Sequence, residues 1–125
     1  MPKILQIVRE PNKILRDSAE EVKVADIKKK STQELIDNMI ETMWQADGVG
    51  IAAPQVGGGR RLVIITNKKE AIALINPKIT YRSIRRETSE EGCLSVPGYY
   101  GPVRRNYSLR VKAQDITGCN AKPLL

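Results

Sequence analysis

The hydrophobic period of this chain changes once, at Asp47-Gly48-Val49-Gly50, and that change does most to limit the fold. Before it, Leu35, Met39 and Met43, with Ile36 and Ile40 beside them, recur every three or four residues. That spacing predicts an amphipathic helix over about Ser31–Ala46, with one apolar stripe turned to a core. Ser31-Thr32-Gln33-Glu34 has the form of a capping box at its start. Two glycines so close together favour a chain break at its end. After the break the apolar residues come in short runs. Leu62-Val63-Ile64-Ile65 and Ile72-Ala73-Leu74-Ile75 predict strands, the second closed by Asn76-Pro77. Ile79-Thr80-Tyr81 is a weaker strand, and Tyr107–Ala113 alternates with period two. One helix followed by short strands defines an α+β class with antiparallel pairing. Near the start, Pro11 is suited to the first position of a short helical turn.

Composition sets the outer limits. A length of 125 residues fits one domain. Phe is absent and Trp44 stands alone, so the core must rest on Ile, Leu, Val and Ala. The longest apolar stretch, Ala71–Ile75, falls far short of the roughly 20 residues of a membrane span. Without a secretory signal pattern at the start, the expected location is cytoplasmic, or an organelle matrix. Cys93 and Cys119 form no Cys-x-x-Cys pair and no disulfide framework.

Charge is unevenly spread. Residues 1–57 carry 8 Lys/Arg and 9 Asp/Glu, whereas residues 58–125 carry 13 and 5. A basic half can steer a chain toward a polyanion. Its cations, however, fall in scattered pairs without interleaved aromatics, so direct, specific nucleic-acid binding is not expected.

Two segments carry candidate chemistry. Gly48-Val49-Gly50-Ile51-Ala52-Ala53-Pro54-Gln55 combines small residues with one neutral amide. Small residues admit a ligand's backbone closely and leave main-chain groups to pair with it, although the same segment also suits a plain helix-to-strand turn. Glu90-Glu91-Gly92-Cys93-Leu94-Ser95 sets a thiol beside two carboxylates. Their charge disfavours a free thiolate, whereas a bound cation would stabilise one. By itself Cys93 suits either a metal ligand or a buried structural cysteine.

Together the two segments resemble the peptide deformylase family, whose motifs are Gly-apolar-Gly-apolar-Ala-Ala-x-Gln and Glu-Gly-Cys-Leu-Ser. The resemblance implies metal-dependent hydrolytic removal of the N-formyl group from the N-terminal methionine of newly made proteins. It implies that Cys93 is a ligand of a divalent metal, typically Fe2+. The Gln55 side chain and the Leu94 N–H would bind the oxyanion. Gly48, Val49, Gly50 and Tyr100 would line the substrate groove, and Glu91 paired with Arg105 would be structural. The partners would be N-formylmethionyl nascent peptides, with association at the ribosome.

The family's third motif, His-Glu-x-x-His on a C-terminal helix, has no counterpart, because the chain contains no histidine. The expectation is therefore a single deformylase-like domain over residues 1–125 that is C-terminally incomplete and lacks the metal-binding helix. It would be catalytically inactive or a fragment, with metal binding by these residues in doubt. The alternative is a non-catalytic paralogue that binds N-terminal peptides or associates with ribosomes or RNA. Whether these residues act as an enzyme stays open on sequence grounds.

Overall fold

A computed structural model of the chain describes residues 2–9, 11–67, 70–106 and 109–116. A 3-10 turn at Lys13–Leu15 comes first, capped by Asn12, whose side chain accepts from Ile14 N at 3.1 Å. Pro11 therefore lies before the cap rather than at the first helical position. Short helix α1 (Val24–Ile27) leads into the main helix, α2 (Lys30–Gln45).

Helix α2 starts one residue earlier than expected. Its N-cap is Lys29, with no side-chain capping bond, so the Ser31–Glu34 capping box is corrected. The side chains of its first turn bond back to α1 instead. Thr32 Oγ1 donates to Asp26 O at 2.7 Å, and Gln33 Nε2 donates to Ile27 O at 2.8 Å. Ile36, Met39 and Met43 are buried, and Leu35 and Ile40 flank them half-buried. Thr42 is also buried and fully engaged: its hydroxyl donates to Asn38 O and accepts from Leu5 N, both at 2.7 Å. That second bond ties the N-terminal segment to the helix. The helix ends on Asp47, at φ 54, where Asp47 N bonds Trp44 O and Gly48 N bonds Met43 O. This paired closure is a left-handed C-cap, filled here by a short polar residue ahead of the expected glycines.

Among the described residues, β1 (Gly50–Ala52), β2 (Leu62–Asn67), β3 (Glu70–Arg82) and β6 (Leu109–Gln114) form an antiparallel sheet in the order β1-β2-β3-β6. Between β1 and β2 lies a second 3-10 turn, Ala53–Val56. The register aligns Ile51, Ile64 and Ala73 in one row, and pairs Leu62 with Ile75. These five join Met39 and Met43 in one buried cluster, so helix and sheet share a core.

Strand β3 does not stop at Asn76-Pro77 as expected. Asn76 takes φ 55, and the register with β6 slips between Ile75 and Lys78, which marks a bulge. Asn76 holds it: its Oδ1 accepts from Val22 N at 2.7 Å, and its Nδ2 donates to Val22 O and Gln114 Oε1. Pro77 lacks an N–H, and at a bulge that loss breaks little of the ladder.

The remaining strands, β4 (Arg86–Cys93) and β5 (Val96–Asn106), form a separate antiparallel hairpin that sequence patterning did not predict. Their sequences lack clean alternation and contain Gly and Pro. The first two residues of the expected Tyr107–Ala113 strand lie outside the described residues, and β6 is described from Leu109.

Candidate functional site

The second motif occupies the tip of the β4–β5 hairpin. Cys93 pairs with Val96, which leaves Leu94 and Ser95 as the connection. The ladder jumps from Gly92↔Tyr100 to Cys93↔Val96, so β5 bulges beside the cysteine. Bulges of this kind re-aim a side chain, and Cys93 is exposed.

The first motif supplies the opposite wall. The 3-10 turn at Ala53–Val56, with Pro54 at its second position, brings the Gln55 side chain back over its own backbone. Gln55 Oε1 accepts from Ala52 N at 2.9 Å. The amide nitrogen then points away from β1 and lies 3.3 Å from both Cys93 Sγ and Ser95 Oγ. Val8 N donates to Gln55 O at 2.6 Å, so the N-terminal segment fixes the same residue from behind. Amide flips are assigned from such networks, and here the Ala52 donor fixes which end is oxygen.

Gly48 joins the two walls. A Cβ there would stand 2.9 Å from Leu94 Cδ1, so Leu94 packs directly on the glycine. The Leu94 N–H has no acceptor among the described residues. Val49 is 80% exposed, and β1 is the sheet's edge strand, with β2 as its neighbour. Glu91 and Arg105 pair across the hairpin, with Arg105 Nε at 2.9 and 3.0 Å from the two carboxylate oxygens. Tyr100 lies opposite Gly92 in β5, and its side chain is outside the described residues.

A groove of about 1460 Å³ runs past these groups, lined among others by Leu5, Val8, Gly48, Gly50, Gln55 and Cys93. The sequence reading missed Ser95, which is buried and shares the Gln55 amide with Cys93. It also missed the backing by Val8. Ser95 was visible as the last residue of its motif; nothing in the pattern of the first ten residues marked Val8.

Among the described residues no group of three His, Cys, Asp or Glu side chains is placed to hold a metal ion. Cys119, the other sulfur, lies outside them. A catalytic zinc-type site takes three protein ligands and an open position. One thiol does not fit that requirement by itself.

The class is thus an α+β protein with a groove in which a fixed amide donor and a thiol face each other beside an open sheet edge. The polypeptide deformylase family model matches residues 4–122. The peptide deformylase of Desulforudis audaxviator is 40% identical over 92% of this chain and 73% of its own length. That of Dehalococcoides mccartyi is 45% identical over 92% and 68%. Among solved structures, a class I type b peptide deformylase from Acinetobacter baumannii with Met-Ala-Ser bound superposes with a TM-score of 0.92 at 31% identity, over 99% of this chain and 85% of that one. A peptide deformylase from Legionella pneumophila gives 0.88 at 40% identity, over 97% and 70%. The chain belongs to the polypeptide deformylase family, hydrolases of protein biosynthesis whose members are metal-dependent.

These matches correct three expectations. The likeness is not a partial one resting on two motifs, because it runs nearly end to end through the chain. The α+β fold is deformylase-like over 95–99% of this chain, where the expectation had been a fold only partly formed. Identity of 40–45% to peptide deformylases across 92% of the chain counts against the readings as an inactive fragment or a non-catalytic paralogue. The sequence still contains no histidine, so neither histidine ligand nor the His-Glu-x-x-His glutamate comes from these residues. No described helix is long and apolar enough to cross a membrane.

Proposed function

We propose that the groove takes the N-formylmethionyl end of newly made proteins, and that its residues serve hydrolytic removal of the formyl group. One observation carries this reading. The Gln55 amide is held by Ala52 N and presents its N–H to the wall that bears Cys93. A neutral donor fixed before charge develops stabilises an oxyanion without reorganising. The Leu94 N–H would be the second donor. Val49 and Gly50, at the sheet edge, would pair with the peptide backbone, with Gly48 shaping the turn and Tyr100 contributing from β5. Glu91 and Arg105 would brace the hairpin.

Cys93 would be one ligand of a divalent metal, Fe2+ by family resemblance, which when bound supplies an activated water. Among the described residues Cys93 belongs to no group of three such ligands, and with no histidine in the sequence the family's His-Glu-x-x-His glutamate has no counterpart. Nascent peptides as substrate accord with a cytoplasmic location and with association at the ribosome.

Binding tests the reading without requiring turnover. The full chain is titrated with formyl-Met-Ala-Ser and with Met-Ala-Ser, and followed by amide chemical shifts. Both peptides should saturate shifts at residues 48–50 and 93–95. Gln55→Leu removes one hydrogen bond to the formyl oxygen and should weaken the formyl peptide about threefold to tenfold, sparing the other. Equal weakening of both peptides, or shifts confined to another face, would overturn the assignment.

A further inference from the structure

The basic half of the chain looked unsuited to nucleic acid because its cations had no aromatic residue among them. The β3–β6 register changes that. Lys78 stands opposite Lys112, Ile79 opposite Val111, and then Tyr81 opposite Arg110. Cross-strand partners project to the same side of a sheet. In an unbroken strand, alternation would send Tyr81 to the side of Ile79. The register shift between Ile79 and Tyr81 makes Thr80 an extra residue and reverses the alternation. Tyr81 therefore shares a side with Lys78 and Lys112. On this side both lysines are exposed and Tyr81 is 53% exposed; on the other, Ile79 is 42% exposed, Val111 half-buried and Ala113 buried.

Two lysines directly opposite one another repel, and such pairs destabilise a sheet. Among the described residues neither has a carboxylate partner. A bridging anion would relieve the repulsion. The separate β4–β5 hairpin carries cations of its own, where Arg86 opposes Asn106 and Arg104 opposes Thr88. Arg86 and Arg104 are thus diagonal neighbours on one side, both exposed. A single ring among cations is too little for insertion into a bilayer, which takes a broad apolar face. It is enough to stack one unpaired base while the cations hold the adjoining phosphates.

We propose that this side of the β3–β6 ribbon is a docking surface for single-stranded RNA, bound through phosphate contacts and stacking without sequence preference. It is separate from the groove and independent of the reading given for it.

The test is fluorescence anisotropy of the full chain with a labelled oligouridylate across a salt series, with each variant checked for native circular dichroism. Wild type should bind saturably at low salt. Lys78→Gln with Lys112→Gln should lower the slope of log K against log salt by about 1.4, at about 0.7 per phosphate contact on a single strand. Tyr81→Ala should weaken binding about fivefold or more through lost stacking. Lys28→Gln with Lys30→Gln removes the same charge elsewhere and should leave slope and affinity unchanged. Three results would each overturn the proposal: no saturable binding by wild type, an equal loss in the Lys28/Lys30 variant, or capture by phosphatidylserine vesicles without binding to the oligonucleotide.

Discussion

Beneath α2, the sheet buries Ile51, Leu62, Ile64 and Ile75 against Met39 and Met43, all within 2% of complete burial. Among the described side chains of the β4–β5 hairpin, Ser95 alone is buried, while Arg86, Glu87, Thr88, Arg104 and Arg105 face solvent. One region is held by apolar packing. The other is held by a backbone ladder, the Glu91–Arg105 pair and the seat of Leu94 on Gly48. The candidate site lies where they meet, with Gln55 on the packed side and Cys93, Leu94 and Ser95 on the ladder side. A rigid donor is thereby set against a hairpin tip whose position depends on few contacts.

The comparison implies unequal responses to mutation. Met39→Ala deletes a fully buried side chain and should cost about 2–5 kcal/mol in denaturant unfolding, since the cavity collapses only partly. A loss under about 1 kcal/mol would show that α2 is not seated on the sheet as described.

Gly48→Ala acts at the junction. The added methyl meets the end of a flexible Leu94 side chain, so the cost should lie near the low end of overpacking, about 1 kcal/mol. Its amide shifts should centre on Leu94 and Cys93 rather than on α2. A loss matching that of Met39→Ala would mean the hairpin tip belongs to the core.

Arg105→Gln should change stability by about 0–1 kcal/mol, less at high salt, because Arg105 is 67% exposed and water screens its pair with Glu91. A larger, salt-independent loss would make that ion pair a principal support of the hairpin.

The smallest effect concerns Asp26. A hydrogen bond from Lys29, with a salt bridge at 2.8 Å, holds its carboxyl below the usual range. A depressed folded-state value means the contribution is present above the unfolded value and lost as pH falls through the folded one. Asp26→Asn should therefore leave a small stability difference at neutral pH that disappears in strong acid. A difference that persists there would point to a role for Asp26 other than its charge.

By itself the sequence determined the elements whose stability is local or one-sided. The α2 stripe, the runs that became β2 and the first half of β3, and the alternation of β6 all repeat at the period of the structure they form. The motifs marked Gln55, Cys93 and Leu94, because small residues, an amide and a thiol in such turns carry a recognisable chemistry. The first misreadings were at boundaries. The cap at Ser31 yielded to side-chain bonds back to α1, and the stop at Asn76-Pro77 yielded to a bulge held by Val22 and Gln114.

Tertiary structure alone decided the rest. The hairpin stayed hidden because a ladder between two strands uses backbone groups, and these impose no period on exposed side chains. Gln55 and Cys93 are 38 positions apart, and their 3.3 Å approach depends on a 3-10 turn, a bulged hairpin and a glycine that admits Leu94. Tyr81 reached the cationic side through one extra residue in β3. Side-chain type is written locally, but which side chains meet is set by register and packing between segments remote in the chain.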